Sequence, residues 1–187
     1  LEVKHKELAV VINENKRHLL KLLSVLFLYP EEKITDNFKE LDEAVDKITQ
    51  AKTRERCTDF LRYLQETSLI RLQEGYTATF DFNPATSLNL TYHKWGDGRE
   101  RGDALVGFHE LYAAAGYKIT SSELPDYLPM FLEFLSINHQ ECDFSFFGQY
   151  WGQLKAIGAR LQESGSPYAG LFEIALDTFR ELRINGA

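Results

Sequence analysis

Apolar residues recur along most of this chain at intervals of three and four, the spacing of one helix face. Leu19, Leu22, Leu23, Leu26 and Phe27 make the first stripe, and Pro30 stops it. Leu41, Ala44, Val45 and Ile48 make a second with a charged back, and Cys57, Phe60, Leu61 and Leu64 a third. A fourth runs through Leu88, Thr91, Tyr92 and Trp95, with Thr86 placed to cap its start and Gly96 to close it. Leu105, Phe108, Leu111, Tyr112 and Ala115 form a fifth ending at Gly116, and Leu128, Phe131, Leu132 and Leu135 a sixth. Phe147, Trp151, Leu154, Ile157 and Leu161 follow, with Asp143 as the expected cap and Gly165 beyond the end. Tyr168, Leu171, Phe172, Ala175, Leu176, Phe179 and Leu182 give the cleanest stripe.

Strand-like alternation occurs once, in "TATFDF" (77–82), where Ala78, Phe80 and Phe82 would share a face. One short strand without a partner is not a sheet, so this stretch reads as an ordered loop. The expected fold is all-α, a single compact multi-helix domain over residues 1–187 with short connections.

Bulk properties narrow the function. A chain of 187 residues with 44% hydrophobic and 26% charged residues is ordinary for a globular domain. A net charge of −7 argues against nucleic-acid binding and mildly favours basic partners. Cys57 and Cys142 lie far apart, which gives neither a disulfide framework nor a zinc pattern and suits a reducing compartment. "LEVKHKELAVV" is too charged for a secretory signal, and "LLKLLSVLFLY" is about half of the roughly 20 residues a membrane span needs. A cytoplasmic protein without a membrane span is expected.

The candidate chemistry gathers in two stretches. In "ELPDYLPMFLEFL" (123–135), Asp126 and Glu133 interrupt a run otherwise suited to a core. On one helix they would lie about 20° apart around the axis, with Met130 between them, and roughly 10 Å apart along it. That exceeds the roughly 5–5.5 Å of a retaining carboxylate pair and is too long for sharing one metal. Asp126 could instead cap the helix, but Pro129 would then stand at N3 with no N–H to offer, leaving carboxylate lone pairs open. Glu133 could equally be a solvated residue at the stripe edge.

The second stretch, "YHKWGDGRERGDALVGFHELY" (92–112), brings Asp97, Arg99 and Arg101 to the head of a helix. Gly96, Gly98 and Gly102 do not make the G-x-G-x-x-G phosphate cradle, and no strand precedes them. Basic residues there oppose the helix dipole and call for a paired acid, from Asp97 or from farther away. Histidines occur without the spacings of a zinc or di-iron helix site, and no nucleophile elbow or kinase motif is present. No metal and no cofactor are expected. The one enzymatic alternative is a helical metal-dependent enzyme using Asp126, Glu133 and His93.

Taken together, three segments resemble the nitrate reductase assembly chaperones, the NarJ-type delta-subunit proteins within the redox-enzyme maturation chaperones. "LQEGYTATFDFNPATSLNLTYHKWGDGRERGDAL" (72–105) follows the family pattern of Tyr, three residues, Phe-Asp, then Thr-Ser-Leu, a histidine and Gly-x-x-Arg-x-Arg-Gly. "ELPDYLPMFLEFL" is similar to the family's Leu-Pro-Asp-His-Leu-Pro…Leu-Glu-Phe, and "LLSVLFLYPEE" (22–32) to its early helix and stop. Position 127 departs: it is Tyr where many relatives carry His.

The resemblance implies an all-helical chaperone and not an enzyme. Such a protein binds the apo catalytic subunit of a molybdenum oxidoreductase, above all its N-terminal segment, before cofactor insertion and membrane docking. Thr86, Ser87, Gly96, Gly102 and Pro125 are further motif positions, of which the first four suit caps and turns. The client-peptide contacts it suggests are Tyr76, Phe80, Asp81, His93, Arg99, Arg101, Asp126, Tyr127, Met130 and Glu133. They would edge an apolar groove for an amphipathic basic helix.

Overall fold

A computed structural model describes residues 12–139 and 145–182. The charged start at 1–11, Cys142 and the cap expected at Asp143 lie outside them. Among the described residues ten α-helices follow in order, and no strand longer than an isolated bridge occurs. They are α1 (Glu14–Leu26), α2 (Glu32–Asp36), α3 (Phe38–Asp46), α4 (Ala51–Glu66), α5 (Leu69–Tyr76), α6 (Tyr92–Trp95), α7 (Glu100–Ala114), α8 (Leu128–Ile137), α9 (Trp151–Glu163) and α10 (Ala169–Glu181). The all-α expectation holds.

The two most apolar stripes meet. α1 buries Leu20, Leu22, Leu23 and Leu26 against α8, which buries Leu128, Phe131, Leu132, Phe134 and Leu135. Asn13 caps α1 by accepting from the Lys16 N–H at 3.0 Å. Arg17, one turn on, reaches across to the end of α8 and donates to the Ser136 and Asn138 carbonyls at 3.2 and 2.6 Å. A guanidinium suits that place, because the last carbonyls of a helix lack intrahelical donors and carry the negative end of its dipole. Behind this pair, α10 packs on α1, α4 and α9, and α3 on α4. Gly158 lets α9 approach α10 closely: a Cβ there would stand 3.1 Å from Leu176 Cδ1.

Gly116 and Gly165 end α7 and α9 as expected, at φ +83° and +63°. At both ends two amides fold back onto the last turn. Tyr117 N–H reaches the Tyr112 carbonyl and Ser166 N–H that of Leu161, each at 2.9 Å.

Several expectations change. "TATFDF" is no loop: Thr77–Asp81 continues α5 as a π-helical turn, with the Phe82 N–H reaching five residues back to Thr77 at 2.9 Å. The shared face is absent too, since Phe80 is buried against Tyr76 and Tyr168 while Phe82 is 80% exposed. Tyr76 and Phe80 stand four apart, so helical spacing was present beneath the alternation. The helix at 88–95 shrinks to Tyr92–Trp95, and the Thr86 hydroxyl donates to the Thr79 carbonyl instead of capping. Leu88 and Leu90 are both buried from an extended segment, a period-2 signal hidden in the helical one. Phe147 is buried from a 3₁₀ turn, Ser145–Tyr150, ahead of α9. The short α2 and α5 carry too few buried positions to show as stripes.

Phe131 centres the aromatic core, stacked on Phe147 with ring centroids 4.2 Å apart and meeting Phe108 edge-on at 5.9 Å. Phe131→Ala is expected to cost about 3–5 kcal/mol, read as a lowered urea midpoint with an unchanged slope.

Candidate functional site

Asp126 has no exposed surface. Both its side chain and its main chain are spent on three consecutive residues. Its Oδ2 accepts from the Thr91 N–H at 2.8 Å and the Thr91 hydroxyl at 2.6 Å, and its Oδ1 from the Asn89 amide at 3.2 Å. The Leu90 N–H donates to its carbonyl oxygen at 3.2 Å. Arg101 Nε donates to the Thr91 hydroxyl oxygen at 3.0 Å, so the guanidinium charge reaches the buried carboxylate through that hydroxyl.

This geometry overturns both sequence-derived roles for Asp126. The N-cap of α8 is Tyr127, no side chain caps that helix, and Pro129 stands at its second position. The Leu128 N–H, free of an intrahelical partner, is taken by the Leu88 carbonyl at 2.9 Å. Segment 88–90 thus caps α8 from a distance, and Asp126 holds that segment in place. A carboxylate this buried cannot edge a groove. Nor does it share a helical stripe with Glu133, because α8 begins only at Leu128.

What α8 shows outward is a second stripe: Met130, Glu133 and Ile137. Across from it α1 shows Lys21 and Val25, with Leu28 just past its end, and Lys21 Nζ pairs with Glu133. These two stripes, with Tyr112, Phe134 and the loop 117–121, line a groove of about 230 Å³. It adjoins a second basin of about 220 Å³ lined by Tyr29, Tyr76, Phe80, Asp81, Ser87, Leu88 and Asn89. Glu123 and Tyr127 belong to both. Leu28 and Tyr29, at 43% and 40% exposed, and Leu124 at 42% leave apolar surface around the junction.

Tyr127 stands where the basins meet. The Tyr76 hydroxyl donates to the Phe27 carbonyl at 3.0 Å, which commits its only proton. The 2.8 Å contact between the two hydroxyls is therefore a bond from Tyr127 to Tyr76. Burial pushes the Tyr127 hydroxyl up to about 12, so it stays neutral near pH 7.

The structure thus gathers Tyr76, Phe80, Asp81, Tyr127, Met130 and Glu133 along one surface. Asp126 lies beneath it, and His93, Arg99 and Arg101 line neither basin. Arg101 is committed to Thr91, with Asp97 at 3.8 Å and its guanidinium 5.4 Å from the Tyr92 ring. Arg99 is exposed at the head of α7. His93 Nε2 donates to the Ser87 carbonyl at 2.7 Å. Burial holds the His93 imidazole below its ordinary 6.5, with Arg160 adding to the effect and the Ser87 bond and Asp126 opposing it.

The metal-enzyme alternative therefore loses its basis, since Asp126 is saturated with donors, Glu133 pairs with Lys21 and His93 serves Ser87. Among the described residues no group of three or more His, Cys, Asp or Glu could hold a metal ion. The α1 wall and Glu123 were missed. Val25 lies off the core stripe of α1 and Leu28 just past its end, and apolar residues outside that stripe were the available signal.

A family model described as nitrate reductase delta subunit matches residues 46–173. A Bacillus subtilis (strain 168) protein designated a probable nitrate reductase molybdenum cofactor assembly chaperone NarJ is 32% identical over 162 residues, 87% of this chain and 88% of that one. The Escherichia coli (strain K12) nitrate reductase molybdenum cofactor assembly chaperone NarJ is 33% identical over 159 residues, 84% of this chain and 67% of that one. The crystal structure of a protein assigned to redox enzyme maturation in Archaeoglobus fulgidus superposes with a TM-score of 0.64 at 23% identity, over 94% of this chain and 99% of that one. That likeness supports the fold alone.

Asp126→Ala strands the Thr91 and Asn89 donors in the interior. It is expected to cost about 3–5 kcal/mol, beyond the roughly 0.5–2 kcal/mol of a lost cap, as measured by urea denaturation near pH 7. For His93 the folded-state value lies below the unfolded one, so below pH 6.5 the unfolded chain binds a proton that the folded chain resists. Stability should fall as pH drops through that value. His93→Gln should remove this part of the slope in denaturation midpoints compared at about pH 7.5 and 5.5.

Proposed function

The chain belongs to the nitrate reductase delta subunit family, and on that footing we propose that it is an assembly chaperone for the molybdenum-containing catalytic subunit of a nitrate reductase. It acts by binding, not by catalysis: the apo catalytic subunit is held, through its N-terminal segment, until the molybdenum cofactor is in place. The relatives at 32% and 33% identity are named as cofactor assembly chaperones, which supports the general role. No described helix is long and apolar enough to cross a membrane, which is compatible with action in the cytoplasm before the enzyme docks at one.

The observation that carries the binding step is the two-faced pairing of α1 and α8. Each helix is apolar enough on one face to build the core. α8, and α1 with the residue Leu28 just past its end, keep a second partly apolar stripe, Val25 and Leu28 facing Met130 and Ile137, that the other described residues leave open. An apolar groove between helices takes the apolar face of a peptide helix at i, i+3, i+4 and i+7. The motif residues then divide. Asp81, Tyr127, Met130 and Glu133 meet the client segment, Tyr76 and Phe80 back the second basin from within the core, and Asp126, His93 and Arg101 hold the wall that presents them. Since Tyr127 does not titrate near neutrality, this position gives the site no pH switch.

Calorimetry with the N-terminal peptide of the cognate catalytic subunit tests the proposal. The wild-type protein should bind it. Met130→Glu, which puts an unpaired charge on the groove wall, should weaken binding about tenfold or more with the fold intact by circular dichroism. A folded wild-type protein that binds neither this peptide nor the full apo subunit would sink the reading.

A further inference from the structure

We propose that the groove accepts its client helix in one direction, with the helix N-terminus and its basic side chains at Asp81 and Glu123 and its C-terminus toward Lys118. This rests on the peptide-binding reading above and adds polarity to it.

The groove is electrically lopsided. At its α8 end Glu133 is neutralised by Lys21, and no described carboxylate contacts Lys118 on the neighbouring loop. Toward the second basin, Glu123 at the junction and Asp81 beyond it are both exposed, and among the described residues no Lys, Arg or His contacts either carboxylate. Both acids line the second basin together with Tyr127, which places them on the same stretch of groove. Two acids without a described cationic partner toward the second basin, and a lysine without a described acidic partner on the far side, make a field along the groove axis that is strongest at low salt.

A helix lying in that field carries about half a positive charge at its N-terminus and half a negative charge at its C-terminus. Side-chain cations near its start strengthen the same preference. The Tyr29 ring in the same basin, 40% exposed, offers a surface beside which a guanidinium or ammonium group can rest. No described strand offers an edge for an extended peptide, so a helical occupant suits the site. The reverse orientation would set the negative helix end against Asp81 and Glu123 and the positive end against Lys118.

The test uses fluorescence anisotropy with the N-terminal peptide of the cognate catalytic subunit and the full chain at low salt. Asp81→Lys combined with Glu123→Lys should weaken binding about tenfold or more. The control, Glu55→Lys combined with Glu163→Lys, makes the same change in net charge and should shift binding by less than about twofold. A peptide whose basic residues are changed to Glu should regain affinity for the Asp81→Lys/Glu123→Lys protein. A photo-crosslinker at the peptide N-terminus should label residues 77–89 and Glu123, and one at its C-terminus Lys118 and the last turn of α8 around Ile137. With the peptide bound by the wild-type chain, unchanged affinity of the charge-reversed protein or reversed crosslinks would overturn the directional inference and leave the groove standing. No binding by the wild-type chain would instead overturn the peptide reading beneath it.

Discussion

A carboxylate with no exposed surface must be met by donors wherever the chain places it, and meeting Asp126 organises the middle of this protein. Its three acceptor oxygens are answered by Asn89, Leu90 and Thr91, and Arg101 adds charge through the Thr91 hydroxyl. Segment 88–91 is thereby fixed against the start of α8, where the Leu88 carbonyl takes the amide that a local cap would otherwise serve. The next residue, Tyr127, turns outward and joins the two basins. The same few bonds that satisfy a buried charge therefore also set the position of the groove wall.

The second constraint is that α1 and α8 have work on two sides. Their inner faces carry the leucines and phenylalanines that the core needs, and Arg17 closes the end of one helix from the other. Their outer faces are not fully polar, and no described element covers them. The Lys21–Glu133 pair spans them at the surface, where such a pair adds little stability but sets the local charge to zero. Two motif acids thus have opposite fates. Glu133 is exposed and neutralised by a neighbour, while Asp126 is buried and holds the chain together.

The helical stripes gave most of the fold in advance, because burial of one face at a period of 3.6 leaves its trace in composition alone. The glycines closing α7 and α9 were legible for a similar reason, since a helix end at positive φ favours a residue without a side chain. Where two periods were superimposed, the sequence misled. Leu88 and Leu90 are buried from an extended segment although 88, 91, 92 and 95 have helical spacing. The alternation in "TATFDF" hid the i, i+4 pair of Tyr76 and Phe80. The motif residues were legible as a set, but not their division into those that face the groove and those that support it.

By itself the sequence determined an acidic all-helical chain, the glycine-closed ends of α7 and α9 and the residues worth watching. Those properties depend on neighbours within one turn, so they can be read along the chain. Only the tertiary structure decided that Asp126 is a buried tie, that Glu133 belongs to Lys21, and that Asp81 and Glu123 share one end of a groove. Each of these depends on residues brought together from distant parts of the chain: 89–91 with 126, 21 with 133, 81 with 123. Local patterning sets which face of a helix is apolar, whereas the packing of whole helices decides which apolar face is left uncovered.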